Sequence, residues 1–134
     1  MVSLGPIVLP LQKSEDIVMM RQRVREVAVS IGLSLVDQTK VVTAASELGR
    51  NAIVYGGGGR VEMSEVNDGG RRGLRLIFAD QGPGIADIEQ ALRDGYTSGN
   101  GLGLGLGGAR RLSDQFDIQS APGRGTRITI TRWR

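Results

Sequence analysis

The run Gly99-Asn-Gly-Leu-Gly-Leu-Gly-Leu-Gly-Gly108 constrains this chain more than any other stretch, because glycine and leucine alternate along it. Glycine inside a helix or strand costs roughly 0.5–1 kcal/mol relative to alanine, so such a run does not favour a regular element. A solvated linker, built of glycine and small polar residues, has no use for Leu102, Leu104 and Leu106. Ala109, Leu112 and Phe116 follow at spacings of three and four, which predicts a helix ending near Phe116. A glycine-rich loop feeding a helix presents backbone N–H groups to an anion. The run is therefore expected to be a mobile phosphate-binding lid. It is not a P-loop, since the Lys-Ser/Thr ending is absent, and no strand leads into it as the dinucleotide fold requires.

Eighteen of the chain's 21 glycines lie between Gly56 and Gly125. They have no three-residue period, which excludes collagen. A hydrophobic share of 40% and a net charge of +3 argue for a folded chain rather than disorder. A length of 134 residues predicts one domain spanning 1–134, without linker or repeat. There is no cysteine and no histidine. Thiol chemistry, zinc–thiolate sites, a Ser-His-Asp triad and an imidazole base are thereby excluded. Acid–base work falls to Asp, Glu, Lys or Tyr. No apolar run is long enough for a membrane span, and the N-terminus lacks the basic region of a signal peptide, so a cytoplasmic protein is expected. The basic residues number 17 against 14 acidic ones and are interleaved with them. Nucleic-acid binders cluster such charge, so neither nucleic acid nor membrane is an expected partner.

The expected element order is β-α-α-β-β-α-α-β-β. Residues 5–12 form a strand whose two prolines place it at an edge. Ser14 caps a helix carrying Ile17, Met20, Val24, Val27, Ala28 and Ile31, and Gly32 stops it. A second helix runs from about Leu35 to Tyr55. Strands follow at 60–66 and 73–80, joined by a turn, then a loop at 80–85 and a helix at 85–94. Strands at 117–121 and 126–133 enclose the turn Pro-Gly-Arg-Gly. Helices and hairpins alternate without strict βαβ units, which predicts an α+β fold with helices on one face of a mixed sheet.

Four places carry candidate chemistry. Glu47 and Asn51 are four apart on the second helix and share a face at the edge of its apolar stripe. Taken alone, the pair is better described as a solvated helix surface, since the spacing is common. A carboxylate there can deprotonate a hydroxyl, and an amide oxygen suits Mg²⁺. Asp80 ends a strand in phase with Leu74, Leu76 and Phe78, so it points inward and needs a donor, such as a purine amino group. The loop after it, Gln-Gly-Pro-Gly-Ile85, also fits an ordinary turn. The glycine–leucine run is the third place. The fourth is Gly123-Arg-Gly-Thr126, where a plain tight turn is as good a description as a ligand-facing hydroxyl.

In this order and spacing the four segments resemble one family. ELGRN is similar to the N box, DQGPGI, GNGLGLGLG and GRGT to the three glycine boxes, of the Bergerat ATP-binding fold shared by the GHKL proteins. Nearly the whole chain is covered. That resemblance implies a two-layer α/β sandwich with a mixed, mostly antiparallel sheet. The lack of a histidine-bearing domain and of a phenylalanine-bearing box favours the stand-alone serine/threonine kinases of bacterial partner-switching systems. Among these the chain most resembles the stressosome switch kinases of the RsbT type. They phosphorylate STAS-domain proteins and then bind a PP2C-type phosphatase; anti-sigma-factor kinases, which hold a sigma factor, are the alternative, and a non-catalytic nucleotide-sensing adaptor is another. The resemblance implies ATP and Mg²⁺ as cofactors. It makes Glu47 the general base, Asn51 the Mg²⁺ ligand, and Asp80 the acceptor for the adenine amino group. Gly82, Gly84 and Ile85 would border the base. Ser98, Gly99, Gly101, Leu102, Gly103, Leu104 and Gly105 would form the lid, and Thr126 would sit near the adenine. Arg50 is either a phosphate contact or a surface ion-pair partner. Gly56–Gly59 has no role in this scheme.

Overall fold

Two amphipathic helices and two hairpins build the architecture, which a computed structural model describes for residues 6–93 and 105–134. The elements are β1 (Ile7–Leu11), α1 (Ser14–Ile31), α2 (Leu35–Val54), β2 (Gly59–Asp68), β3 (Arg71–Asp80), α3 (Ile88–Ala91), α4 (Gly105–Arg111), β4 (Gln115–Ser120) and β5 (Thr126–Trp133). The strands form one sheet in the order β1-β2-β3-β5-β4. The α+β expectation holds, but the sheet is not mixed. Every pairing between described strands is antiparallel, because each connects through a hairpin or returns across the helical layer. β1 lies at an edge, as its prolines predict, with Pro10 opposite Arg60 of β2.

Strand alternation decides which face is covered. Val61, Met63, Leu74, Leu76, Phe78, Ile128 and Ile130 are buried on one face, while Arg60, Arg75 and Arg127 stand on the other. The covering layer is the stripe Met20, Val24, Val27, Ala28 and Ile31 of α1 with Val41, Ala45, Leu48 and Ala52 of α2. Burial of each large apolar side chain in this layer contributes about 1.5–3 kcal/mol.

Three local expectations shift. The N-terminus of α1 is held by Asp16, not by Ser14. The Asp16 carboxylate accepts from the Gln12 N–H at 2.8 Å and the Lys13 N–H at 3.2 Å, while the Ser14 hydroxyl turns to Glu15. The helix expected over 85–94 is a single turn, starting at Asp87, whose carboxylate caps the Gln90 N–H at 2.9 Å. Ile85 lies before it, with its N–H donating to the Ser120 hydroxyl at 2.8 Å. The helix expected to reach Phe116 ends at Arg111; Phe116 pairs with Ile130 in the sheet. The three-and-four spacing of Ala109, Leu112 and Phe116 thus crosses from a helix into a strand. Both middle strands also run longer than expected, to a two-residue turn at Gly69 and Gly70.

Two ion pairs fasten the layers. Arg72 Nε donates to Glu65 Oε2 at 2.7 Å across the β2–β3 hairpin, and the Glu65 side chain is only 4% exposed. Arg132 Nη2 donates to Asp37 Oδ1 at 2.7 Å, and its Nη1 donates to the Leu112 carbonyl at 3.2 Å. It thereby joins the start of α2 to the end of the segment after α4. The Arg72 hydrogen bond holds the Glu65 carboxyl below its ordinary 4.5, burial acting the other way. The Arg132 hydrogen bond likewise holds Asp37 below 3.8. Both folded-state values are depressed, so their stabilisation is complete above the unfolded values and lost as pH falls through the folded ones. Urea midpoints are expected to hold steady down to about pH 5 and then to fall progressively on acidification, starting near the ordinary carboxylate range. Unchanged midpoints between about pH 5 and pH 2 would show that these pairs contribute nothing.

Candidate functional site

Helix α2 arrives at the sheet with its last two turns against the end of β3. Ser34 caps its start, accepting from the Asp37 N–H at 3.1 Å, and Leu48 and Ala52 are buried on the sheet side. That orientation turns Asn51 toward a cavity of about 720 Å³ between α2, the sheet end and the 80–87 loop. The volume lies within the roughly 300–1,000 Å³ usual for small-molecule sites. Leu48, Ala52, Phe78 and Ile128 make an apolar wall, and Arg50, Asn51, Asp80 and Thr126 supply polar groups. Gln90 and Ala91 of α3 and Gly105 and Leu106 of α4 complete the lining.

Asp80 is the last residue of β3, paired with Gly59 on one side and with Thr126 on the other. Its Oδ1 accepts from the Gly82 N–H at 3.0 Å, which turns the chain sharply out of the strand. The carboxylate lies half-buried at the cavity, as the strand phase predicts. It is tolerated there because Gly56 has no side chain. A Cβ on Gly56 would fall on the Asp80 carboxyl carbon, and one on Gly82 would meet the Gly56 Cα at 2.6 Å. The end of α2 and the loop thus meet backbone to backbone, with the Asp80 side chain packed against Gly56. This accounts for the start of the Gly56–Gly59 run, which had no role in the sequence scheme.

The loop is also sewn to the last hairpin. The Gly123 N–H donates to the Pro83 carbonyl at 2.7 Å, and the Ile85 N–H donates to Ser120 Oγ at 2.8 Å. Gly84 has φ of +78°, and a Cβ there would strike the Ala121 carbonyl oxygen. Thr126 Oγ1 lies 2.8 Å from Ser120 Oγ.

Of the predicted site residues, Asn51, Asp80, Gly84, Ile85, Gly105 and Thr126 line the cavity together. Gly82 does not line it; it serves by letting Gly56 approach. Glu47 is half-buried one turn before Asn51 and stands off the cavity wall. Arg50 lines the cavity and has no ion-pair partner among the described residues. Ser98, Gly99, Gly101, Leu102, Gly103 and Leu104 lie outside the described residues. Sequence reasoning missed Gly56 and Ser120. The first was signalled by an over-long glycine run, the second by nothing, since a serine in Gln-Ser-Ala is unremarkable in isolation.

Among the described residues no group of three or more Asp or Glu side chains could hold a metal ion. A lone amide oxygen at Asn51 fits Mg²⁺ only where phosphate oxygens and water supply the other ligands, which is the usual habit of that ion. An acceptor beside an apolar wall at the Asp80 end fits a purine bearing an amino group. No helix among the described residues is long and apolar enough to cross a membrane.

The family model for the histidine kinase-like ATPase domain matches residues 11–132. The serine/threonine-protein kinase RsbT of Bacillus subtilis is 46% identical over 118 residues, covering 88% of this chain and 89% of that protein. The anti-sigma F factor of Clostridium acetobutylicum is 32% identical over 128 residues, covering 91% and 88%. A crystal structure of the RsbU and RsbW domains of a Mycobacterium tuberculosis protein superposes with a TM-score of 0.66 at 23% identity. It covers 98% of this chain, which spans 33% of that one, and the likeness is one of fold.

Proposed function

We infer the function from membership and cavity together: the chain belongs to the histidine kinase-like ATPase family. Its 46% identity to a serine/threonine-protein kinase over most of both chains makes it a protein kinase of that type. We propose further that it phosphorylates a STAS-domain protein in a partner-switching cascade and then engages a PP2C-type phosphatase. That identity, taken with a cavity holding Asp80 at one end and Asn51 on the neighbouring helix, carries the reading.

In this reading Asp80 accepts the adenine amino group, and Phe78 and Ile128 face the apolar base. Asn51 would hold Mg²⁺ together with the phosphates, and the chemistry such an ion would supply there is neutralisation of developing charge. Arg50 lines the same cavity, which supports a contact to a phosphate oxygen. Glu47 takes the proton of the incoming hydroxyl. Its position off the nucleotide wall suits a base that serves a second protein rather than the nucleotide, about 6 Å along the helix from Asn51 at 1.5 Å per residue. Most of the acceleration comes from positioning and charge stabilisation, as phosphoryl transfer generally requires.

Incubation with γ-labelled ATP and candidate STAS proteins, followed by phosphosite mapping, tests the proposal. Label is expected on a Ser or Thr of the STAS protein. ATP binding by calorimetry with no transfer to any STAS protein would overturn it. Capture of a sigma factor instead of a phosphatase would favour the second reading, to which the anti-sigma F relatives point. Asp80→Asn replaces an acceptor oxygen by a donor facing an amino group. Its ATP dissociation constant is expected to rise about 5- to 100-fold. An unchanged value removes Asp80 from the site.

A further inference from the structure

The hydroxyl of Ser120 has three partners and a single proton. The Ile85 N–H, at 2.8 Å, can only donate to it. The Gly125 carbonyl, at 2.9 Å, can only accept, and the one arrangement that satisfies all three contacts at once gives it the Ser120 proton. Thr126 Oγ1, at 2.8 Å, is then left to donate into the remaining lone pair of Ser120. With its proton committed, Thr126 faces the cavity as an acceptor and nothing else. Beside it, in register across β3 and β5, the Asp80 carboxylate is also an acceptor only. Two side-by-side acceptors match the two N–H bonds of one exocyclic amino group. They oppose a carbonyl oxygen at the same place, because an acceptor facing acceptors is left desolvated and unpaired.

We infer that Ser120, which lines no part of this cavity, is a positioning residue that fixes the Thr126 proton and makes the site select a 6-aminopurine nucleotide over a 6-oxopurine one. This rests on the nucleotide reading of the cavity. It adds a specificity determinant one residue removed from the base, acting through the hydroxyl of Thr126.

Calorimetry of the full chain with Mg-ATP and Mg-ITP tests it. The unaltered protein is expected to bind ATP at least about tenfold more tightly than ITP. In Ser120→Ala the Thr126 proton is released and can turn toward a carbonyl, so the ratio is expected to contract by about tenfold, while Ser120→Thr restores it. A structural role alone would weaken both nucleotides equally; an unchanged ratio in Ser120→Ala therefore overturns the inference. Thr126→Val provides an independent readout if Ser120→Ala folds poorly. It is expected to weaken ATP about 5- to 10-fold and to strengthen ITP by removing the opposed acceptor, and an equal loss for both overturns the acceptor assignment. Failure of the unaltered protein to bind ATP at all would be a different result, sinking the nucleotide reading itself.

Discussion

Glu47→Ala is expected to bind ATP normally and to transfer its phosphoryl group about 10²- to 10⁴-fold more slowly, the range lost with a general base. The separation of the two effects follows from placement. Glu47 is half-buried on α2, one turn before Asn51, and is not part of the cavity wall. Truncating it takes nothing from the cavity wall and leaves the apolar stripe of Leu48 and Ala52 in place. Stopped-flow transfer to a STAS substrate, set beside calorimetric ATP affinity, measures both. A variant that transfers at the original rate would show that positioning alone drives the reaction and that Glu47 is an ordinary helix-surface residue. Loss of ATP affinity in parallel with rate would instead make it a nucleotide ligand.

Gly84→Ala is expected to destabilise the fold by about 2–4 kcal/mol, a large fraction of the 5–15 kcal/mol that holds a domain together. Two penalties combine there. The residue has φ of +78°, where L side chains are strained, and its Cβ would strike the Ala121 carbonyl oxygen, a backbone atom in the last hairpin. Gly123 separates the two terms. It has the same φ of +78° but nothing within 4 Å of an added Cβ. Gly123→Ala should therefore show only the conformational strain, about 1–2 kcal/mol. Thermal unfolding of the two variants reads the difference, which is the cost of forcing the loop and hairpin apart. Equal losses would mean that the contact relaxes freely.

Much of the fold was legible because it rests on local rules. The edge prolines, the stop at Gly32, the apolar stripes of α1 and α2, and the phase of Leu74, Leu76, Phe78 and Asp80 each follow from spacing along the chain. Asn51, Asp80 and Thr126 could be placed at one site only through a resemblance, since nothing local says that α2, β3 and β5 converge. What stayed hidden depends on atoms far apart in sequence. The loop before α3 is tied by the Ile85 N–H to Ser120, 35 residues away. Phe116 belongs to a strand because Ile130 draws it into the sheet. The use of Gly56 appears only when Asp80 and Gly82 are brought against it. Ser120 is invisible for a further reason: its role lies in how one proton is shared among three partners, and no residue pattern encodes that.

The contact between Gly56 and Gly82 turns the site into a caliper. With no side chain on either residue, the end of α2 and the loop after β3 close to backbone distance, so they act as one rigid frame. Asn51 stands on one side of it and Asp80 on the other, both at the cavity. In the proposed function such a frame would hold a nucleotide by its purine and its phosphate root alike, and telling spent from fresh nucleotide would fall to contacts beyond it.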